Sequence, residues 1–176
     1  MFFKRRKSTV QVFCQYYTDI LKIIRASSID TSDSFISFEL LPFLYVVSDY
    51  AIAYANKDRL KFSNDIMEFL LKSQSDKEGF ESLLQERIDF YGEVIRGRKL
   101  RGYCLLGTLE ENSPPLFRCT VAFTDIIIDP NCSEDYDNAP YCLNGMFEMV
   151  NFSTNTMPLL GKAITSLFKD MYKSKI

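Results

Sequence analysis

The sequence predicts an all-α fold, a single-domain bundle of about six to seven helices. Apolar residues recur at helical spacing through most of the chain, and helix start and stop signals flank these segments. The 176 residues are 47% hydrophobic and 25% charged, which is typical of a globular domain with one core. No internal repeat, low-complexity tract or long Gly/Ser/Pro linker divides the chain. We therefore expect residues 1–176 to form one helical domain, with 1–8 as a flexible basic tail.

The first two helices are predicted over 9–26 and from Asp33 or Ser34 to Ala55. The first has one apolar face, and Lys22 and Arg25 lie near its end, where the helix dipole favours cations. In the second, either Asp33 or Ser34 can serve as the N-cap. Pro42 lies inside this segment and predicts a kink or a start near that position.

The same apolar stretch, 35–55, is nearly long enough to cross a bilayer. It contains Glu39, Pro42 and Asp49, and carboxylates inside an isolated span are costly in lipid. The composition therefore favours a buried helix of a soluble protein over a transmembrane segment.

The next two helices are predicted over 58–72 and from a capping box at 75–78 to near Gly97. In that capping box, Ser75 and Glu78 would each satisfy a backbone N–H at the start of the fourth helix. The last helix of the chain, 156–173, has a continuous apolar face, with Pro158 in its first turn and Lys173 at its end.

The region 100–152 is ambiguous, because its apolar residues fit both a helix face and a half-buried strand. Ser113 as N-cap, Pro114 at the first helical position and Pro130 after the apolar run favour a helix over 116–128. A second, short helix is predicted from 138–140 to Val150. The alternative is an α+β fold with a small antiparallel sheet of 101–109, 116–124 and 146–152.

Catalytic and cofactor signatures are missing from the sequence. It has no histidine, which removes the usual general base and the commonest metal ligand, and it has neither a P-loop nor a dinucleotide fingerprint. The five cysteines form no C-x-x-C pair and are expected to be reduced, buried thiols of a cytoplasmic protein. The acidic segment 129–138 lacks the glycine and the bidentate glutamate of an EF-hand. We expect no enzyme activity, cofactor or metal.

A basic cluster follows the fourth predicted helix and is the candidate anion-binding site. Its members are Arg96, Arg98, Lys99 and Arg101. Such a cluster can bind phosphate or RNA, or it can simply complement a helix dipole. The net charge of −2 and pI near 5.3 make nucleic acid an unlikely partner for the chain as a whole.

Three charged residues interrupt apolar segments and are candidate buried polar groups: Glu39, Asp49 and Arg118. Burial raises the pKa of a carboxyl group, so either acid could serve an enzyme that works without histidine. Pairing with a base of another helix is the structural alternative, and we expect a buried ion pair at Arg118.

The leading functional hypothesis is a non-enzymatic cytoplasmic protein that acts through protein contacts, either as a homo-oligomer or with another partner. It rests on the 15 Phe and 10 Tyr residues, a surplus of the ring side chains that protein interfaces favour. The alternatives are anion or RNA binding by the 96–101 cluster, and a carboxylate or cysteine enzyme without histidine.

Overall fold

The all-α fold is confirmed by a computed structural model, which describes residues 7–27, 29–72, 74–98, 113–130 and 150–176. The described ranges contain six long helices and no strand: α1 (Thr9–Arg25), α2 (Asp33–Tyr54), α3 (Arg59–Leu71), α4 (Lys77–Ile95), α5 (Pro115–Ile128) and α6 (Met157–Lys173). A short helical segment, 150–155, precedes α6.

The antiparallel sheet considered for the second half is wrong at residues 116–124, which lie inside α5. Every residue from Arg118 to Ile128 is buried, so this part of the helix has no exposed face, which explains why strand and helix patterns fitted equally well. The other two predicted strands fall mostly outside the described residues, as does the predicted helix from 138 to 150.

Three helix starts differ from the predictions by one residue. The N-cap of α2 is Ser32, whose hydroxyl accepts a hydrogen bond from the Phe35 N–H at 3.4 Å. The N-cap of α4 is Asp76 rather than Ser75, because its carboxylate accepts from the Gly79 N–H at 3.0 Å. Pro114 takes the N-cap position of α5. Neighbouring polar or proline residues offer competing caps, and the sequence alone does not choose between them.

The helix α2 runs without interruption through Pro42, so a start at this proline is wrong. It contacts each of the other five long helices, and Pro42 itself is buried. Tertiary packing supplies most helix stability, which offsets the hydrogen bond that a proline removes. The helix is therefore the central element of the bundle.

The core is built around the apolar side chains of α2. The Phe43 ring stacks on Phe123 of α5 with centroids 4.3 Å apart, and it meets the edge of Tyr91 of α4 at 5.8 Å. By length and composition, α2 is the one described helix apolar enough to cross a membrane, but 61% of its most apolar 18-residue window is buried in the bundle.

The two ends of the described chain meet. The Thr9 N–H donates to the Lys175 carbonyl at 3.2 Å, and the Lys175 N–H donates to the Lys7 carbonyl at 3.1 Å. Residues 1–6 of the predicted basic tail lie outside the described residues, whereas Lys7 and Ser8 are held by this pairing and by the capping box of α1.

Candidate functional site

Glu39 is buried and paired with a base of another helix. Its side chain is 2% exposed and accepts hydrogen bonds from the Arg87 guanidinium at 2.5 and 3.1 Å and from the Tyr91 hydroxyl at 2.6 Å. The Arg87 guanidinium also lies 4.6 Å from the centroid of the Phe90 ring, a cation–π distance. Burial, followed by the charge of Glu39, raises the pKa of Tyr91 well above its usual value. This cluster joins α2 to α4 and has its polar groups satisfied internally.

Arg118 is buried at the start of α5, and its described partners include three backbone carbonyls. The guanidinium donates to Val94 at 3.2 Å, to Ile95 at 2.6 Å and to Ser113. Val94 and Ile95 are the last residues of α4, whose terminal carbonyls lack partners within the helix. Arg118 therefore closes the C-terminus of α4 and fixes it to α5.

A groove of about 660 Å³ opens between α2, α3 and α4. Its floor is apolar and includes Val46, Ile88 and Gly92. Its volume falls in the range of sites that hold a small ligand or part of another chain. We call it the interhelical groove, and its lining residues are Tyr45, Val46, Asp49, Tyr50, Ala53, Arg59, Leu60, Ser63, Ile88, Asp89, Gly92, Ile95 and Arg96.

Two pairs of side chains fix the polar wall of the interhelical groove. Both carboxylate oxygens of Asp49 accept from Arg59, at 2.9 and 2.5 Å, and this pairing raises the pKa of the guanidinium. The Tyr45 hydroxyl donates to the Ser63 hydroxyl at 2.8 Å, and burial raises the pKa of this tyrosine. Both pairs join α2 to α3, so the groove wall is preformed.

Two of the four predicted anion-binding residues, Arg96 and Arg98, lie in the part of the chain that the structure describes. Arg96 lies in the interhelical groove, where its guanidinium packs over Gly92, and Arg98 lies beyond the end of α4. Both pair with the Glu93 carboxylate, at 3.0 and 3.4 Å. Lys99 and Arg101 fall outside the described residues. The structure thus places Asp49 and Arg96, which were singled out for different reasons, in the same groove.

Large apolar side chains lie exposed beside the groove. Leu60, at its mouth, is 72% exposed, and Tyr54 is 68% exposed. Tyr54 packs on Phe168 and Tyr172 of α6 with ring centroids 5.8 and 6.4 Å apart, and Tyr50 packs on Phe168 at 6.0 Å. We call Tyr50, Tyr54, Phe168 and Tyr172 the aromatic ridge. Because Tyr50 also lines the groove, the two form one continuous surface.

The described cysteines and acids form no metal or nucleophile site. Cys119 is buried, and burial raises the pKa of its thiol, as it does for the half-buried Cys14. A raised pKa lowers the fraction of reactive thiolate. Within the described ranges, no three Cys, Asp or Glu side chains converge closely enough to hold a metal ion.

Comparison with family models, with curated proteins and with solved structures finds no match to this chain. The groove and the ridge are therefore the features of the molecule that bear on its function. Sequence analysis missed Arg59, Arg87 and Tyr91. The only local signal for any of them is at Arg59, which begins α3 just across a short connection from the end of the helix that carries Asp49.

Proposed function

We propose that this chain is a non-enzymatic, cytoplasmic helical protein that acts through protein–protein contacts, with the interhelical groove and the aromatic ridge as its contact surface. The observation that carries the proposal is the exposure of Leu60 and Tyr54, 72% and 68%, beside a preformed groove with an apolar floor. Water contact at such side chains is unfavourable, by about 25 cal/mol per Å² of apolar surface. Covering them by a second chain would recover that free energy.

The residue types of this surface support the proposal. Tyrosine and arginine are enriched among the residues that contribute most to binding at protein interfaces. Tyr45, Tyr50 and Arg59 line the groove, and hydrogen bonds hold two of these three side chains in place. Side chains that are already fixed lose little conformational entropy when a partner binds.

The charged groups of the groove favour binding over catalysis. A general acid or base needs a proton-transfer group that is free to meet a substrate. Asp49 is engaged by Arg59 through both oxygens, and Asp89 accepts from the Gln85 amide at 2.9 Å. These carboxylates are therefore better suited to orienting a partner than to attacking one.

The proposal is tested by selecting displayed peptides against the immobilised protein. We expect enrichment of peptides with apolar anchor residues, since the groove floor is apolar. Leu60→Asp and Ala53→Glu should abolish their binding, because each places a charge in the groove. Leu83→Asp is the matched control, because Leu83 is also exposed but lies on α4 outside the groove. Failure to enrich any peptide, or equal binding by all three variants, would contradict the proposal.

A further inference from the structure

We propose that the partner of this surface is a second copy of the same chain, bound across a two-fold axis with Leu60 of each copy inserted into the interhelical groove of the other. This inference rests on the proposed function and names its partner. It is drawn from three properties of the surface: its shape, its charge and its extent.

The shape of the surface is complementary to itself. In a two-fold dimer the same face of each copy contacts the other, so one face must carry both the protruding and the receiving parts. Leu60 protrudes at the mouth of a groove whose floor contains Val46, Ile88 and Gly92. Val46 and Ile88 give this floor the apolar surface that an inserted leucine would contact.

The charge of the groove also suits a second copy. Its charged residues are Asp49, Asp89, Arg59 and Arg96, two acids and two bases, so their formal charges cancel. A face of one sign would repel its own copy and would instead select a partner of opposite sign. The small net charge of the whole chain, −2, adds little repulsion between two copies.

The surface supplies many of the residues that a stable contact needs. The groove has thirteen lining residues, and the aromatic ridge adds Tyr54, Phe168 and Tyr172 from α2 and α6. A standard interface uses about 20–30 residues from each partner. The groove and the ridge together supply sixteen, and residues around their rim would complete such an interface.

Sedimentation velocity on the full-length chain tests the dimer directly. We expect a species of twice the 20.4 kDa chain mass, dissociating on dilution. Leu60→Asp should raise the dissociation constant at least ~100-fold, whereas Leu83→Asp should leave it unchanged. Because Leu60 is largely exposed, Leu60→Asp should keep the wild-type circular dichroism spectrum. Its melting curve should match that of wild type at concentrations where wild type is monomeric, which separates loss of contact from loss of folding.

A charge-swap experiment tests whether the two faces oppose each other. Asp89→Lys changes the groove charge from zero to +2, and Arg96→Glu changes it to −2. Each variant alone should dimerise more weakly than wild type, and an equimolar mixture should form heterodimers more readily than either forms homodimers.

Two results would overturn the inference. One is a wild-type monomer at the highest concentration that stays in solution, and the other is a dimer unaffected by Leu60→Asp and by both charge variants. A wild-type monomer that still binds selected peptides in a Leu60-dependent manner would leave the proposed function standing and reject only the second copy as its partner.

Discussion

Replacing Glu39 by Gln tests whether the Glu39–Arg87–Tyr91 cluster holds α2 and α4 together. The substitution keeps the shape of the side chain and an acceptor for Tyr91, but it removes the charge that neutralises Arg87. The side chains of Glu39 and Arg87 are only 2% and 11% exposed, so water cannot replace the lost partner. Breaking a buried ion pair by removing one partner costs about 3–5 kcal/mol. We expect about 3 kcal/mol, since the Arg87 guanidinium keeps its contact with Phe90.

The measurement is urea unfolding followed by circular dichroism, with Asp65→Asn as the matched control. Asp65 pairs with Lys61 at 3.6 Å on the exposed face of α3, where loss of an i,i+4 pair costs about 0.3–0.5 kcal/mol. For a chain of this size, a loss of about 3 kcal/mol lowers the melting temperature by roughly 6–12 °C. A loss below about 1 kcal/mol for Glu39→Gln would refute the reasoning.

An all-apolar replacement of the cluster separates pairing from burial. The triple variant Glu39→Leu, Arg87→Leu, Tyr91→Phe removes both charges and the hydroxyl together, so that no polar group remains unsatisfied. Replacing a whole buried ion pair by apolar residues is often neutral. The triple variant should therefore be more stable than Glu39→Gln, and the opposite order would indicate that the ion pair itself is strongly favourable.

Two further predictions concern α1 and α5. Burial and a hydrogen bond to Asp170 at 2.7 Å raise the pKa of Tyr16 to about 12, above the value of about 10 for an unfolded chain. The unfolded chain therefore loses this proton first as the pH rises. The free energy of unfolding of wild type, relative to that of Tyr16→Phe, should fall between pH 10 and 12 by up to about 1.4 kcal/mol per pH unit. Urea titrations that give the same difference at pH 9 and pH 11 would contradict this. Arg118→Met should lower the free energy of unfolding by about 2–3 kcal/mol, because the Val94 and Ile95 carbonyls lose a buried donor; a change below about 0.5 kcal/mol would show that Arg118 does not close α4.

The helices of the first half and the last helix could be predicted from the sequence because their signals are local. The helical spacing of apolar residues predicted the bounds of α1 to within one residue at its C-terminal end. Asp58, a polar residue before the apolar face, predicted the start of α3. The helix α5 was ambiguous for a physical reason: every residue from Arg118 to Ile128 is buried, so this part of the helix lacks the polar face that distinguishes the helical period from the strand period.

The buried cluster could not be predicted, because it depends on contacts between residues far apart in sequence. Glu39 and Arg87 are 48 residues apart, and each lies on a helix whose local pattern says nothing about the other. Asp49 and Arg59 are only 10 residues apart. Sequence reasoning can look for such pairs, in which an acid near the end of one helix is followed, after a short connection, by an arginine at the start of the next.

The buried cluster and the groove depend on the same two helices, and this connects stability with function. Val46 and Ile88, which form part of the groove floor, lie on α2 and α4. The ion pair between Glu39 and Arg87 joins α2 to α4, together with the packing of Phe43 on Tyr91. Widening the groove by separating these helices would break that pair, at a cost of several kcal/mol. We therefore expect a partner to dock on a preformed surface rather than to open it, so that substitutions at Leu60 change the dissociation rate much more than the association rate.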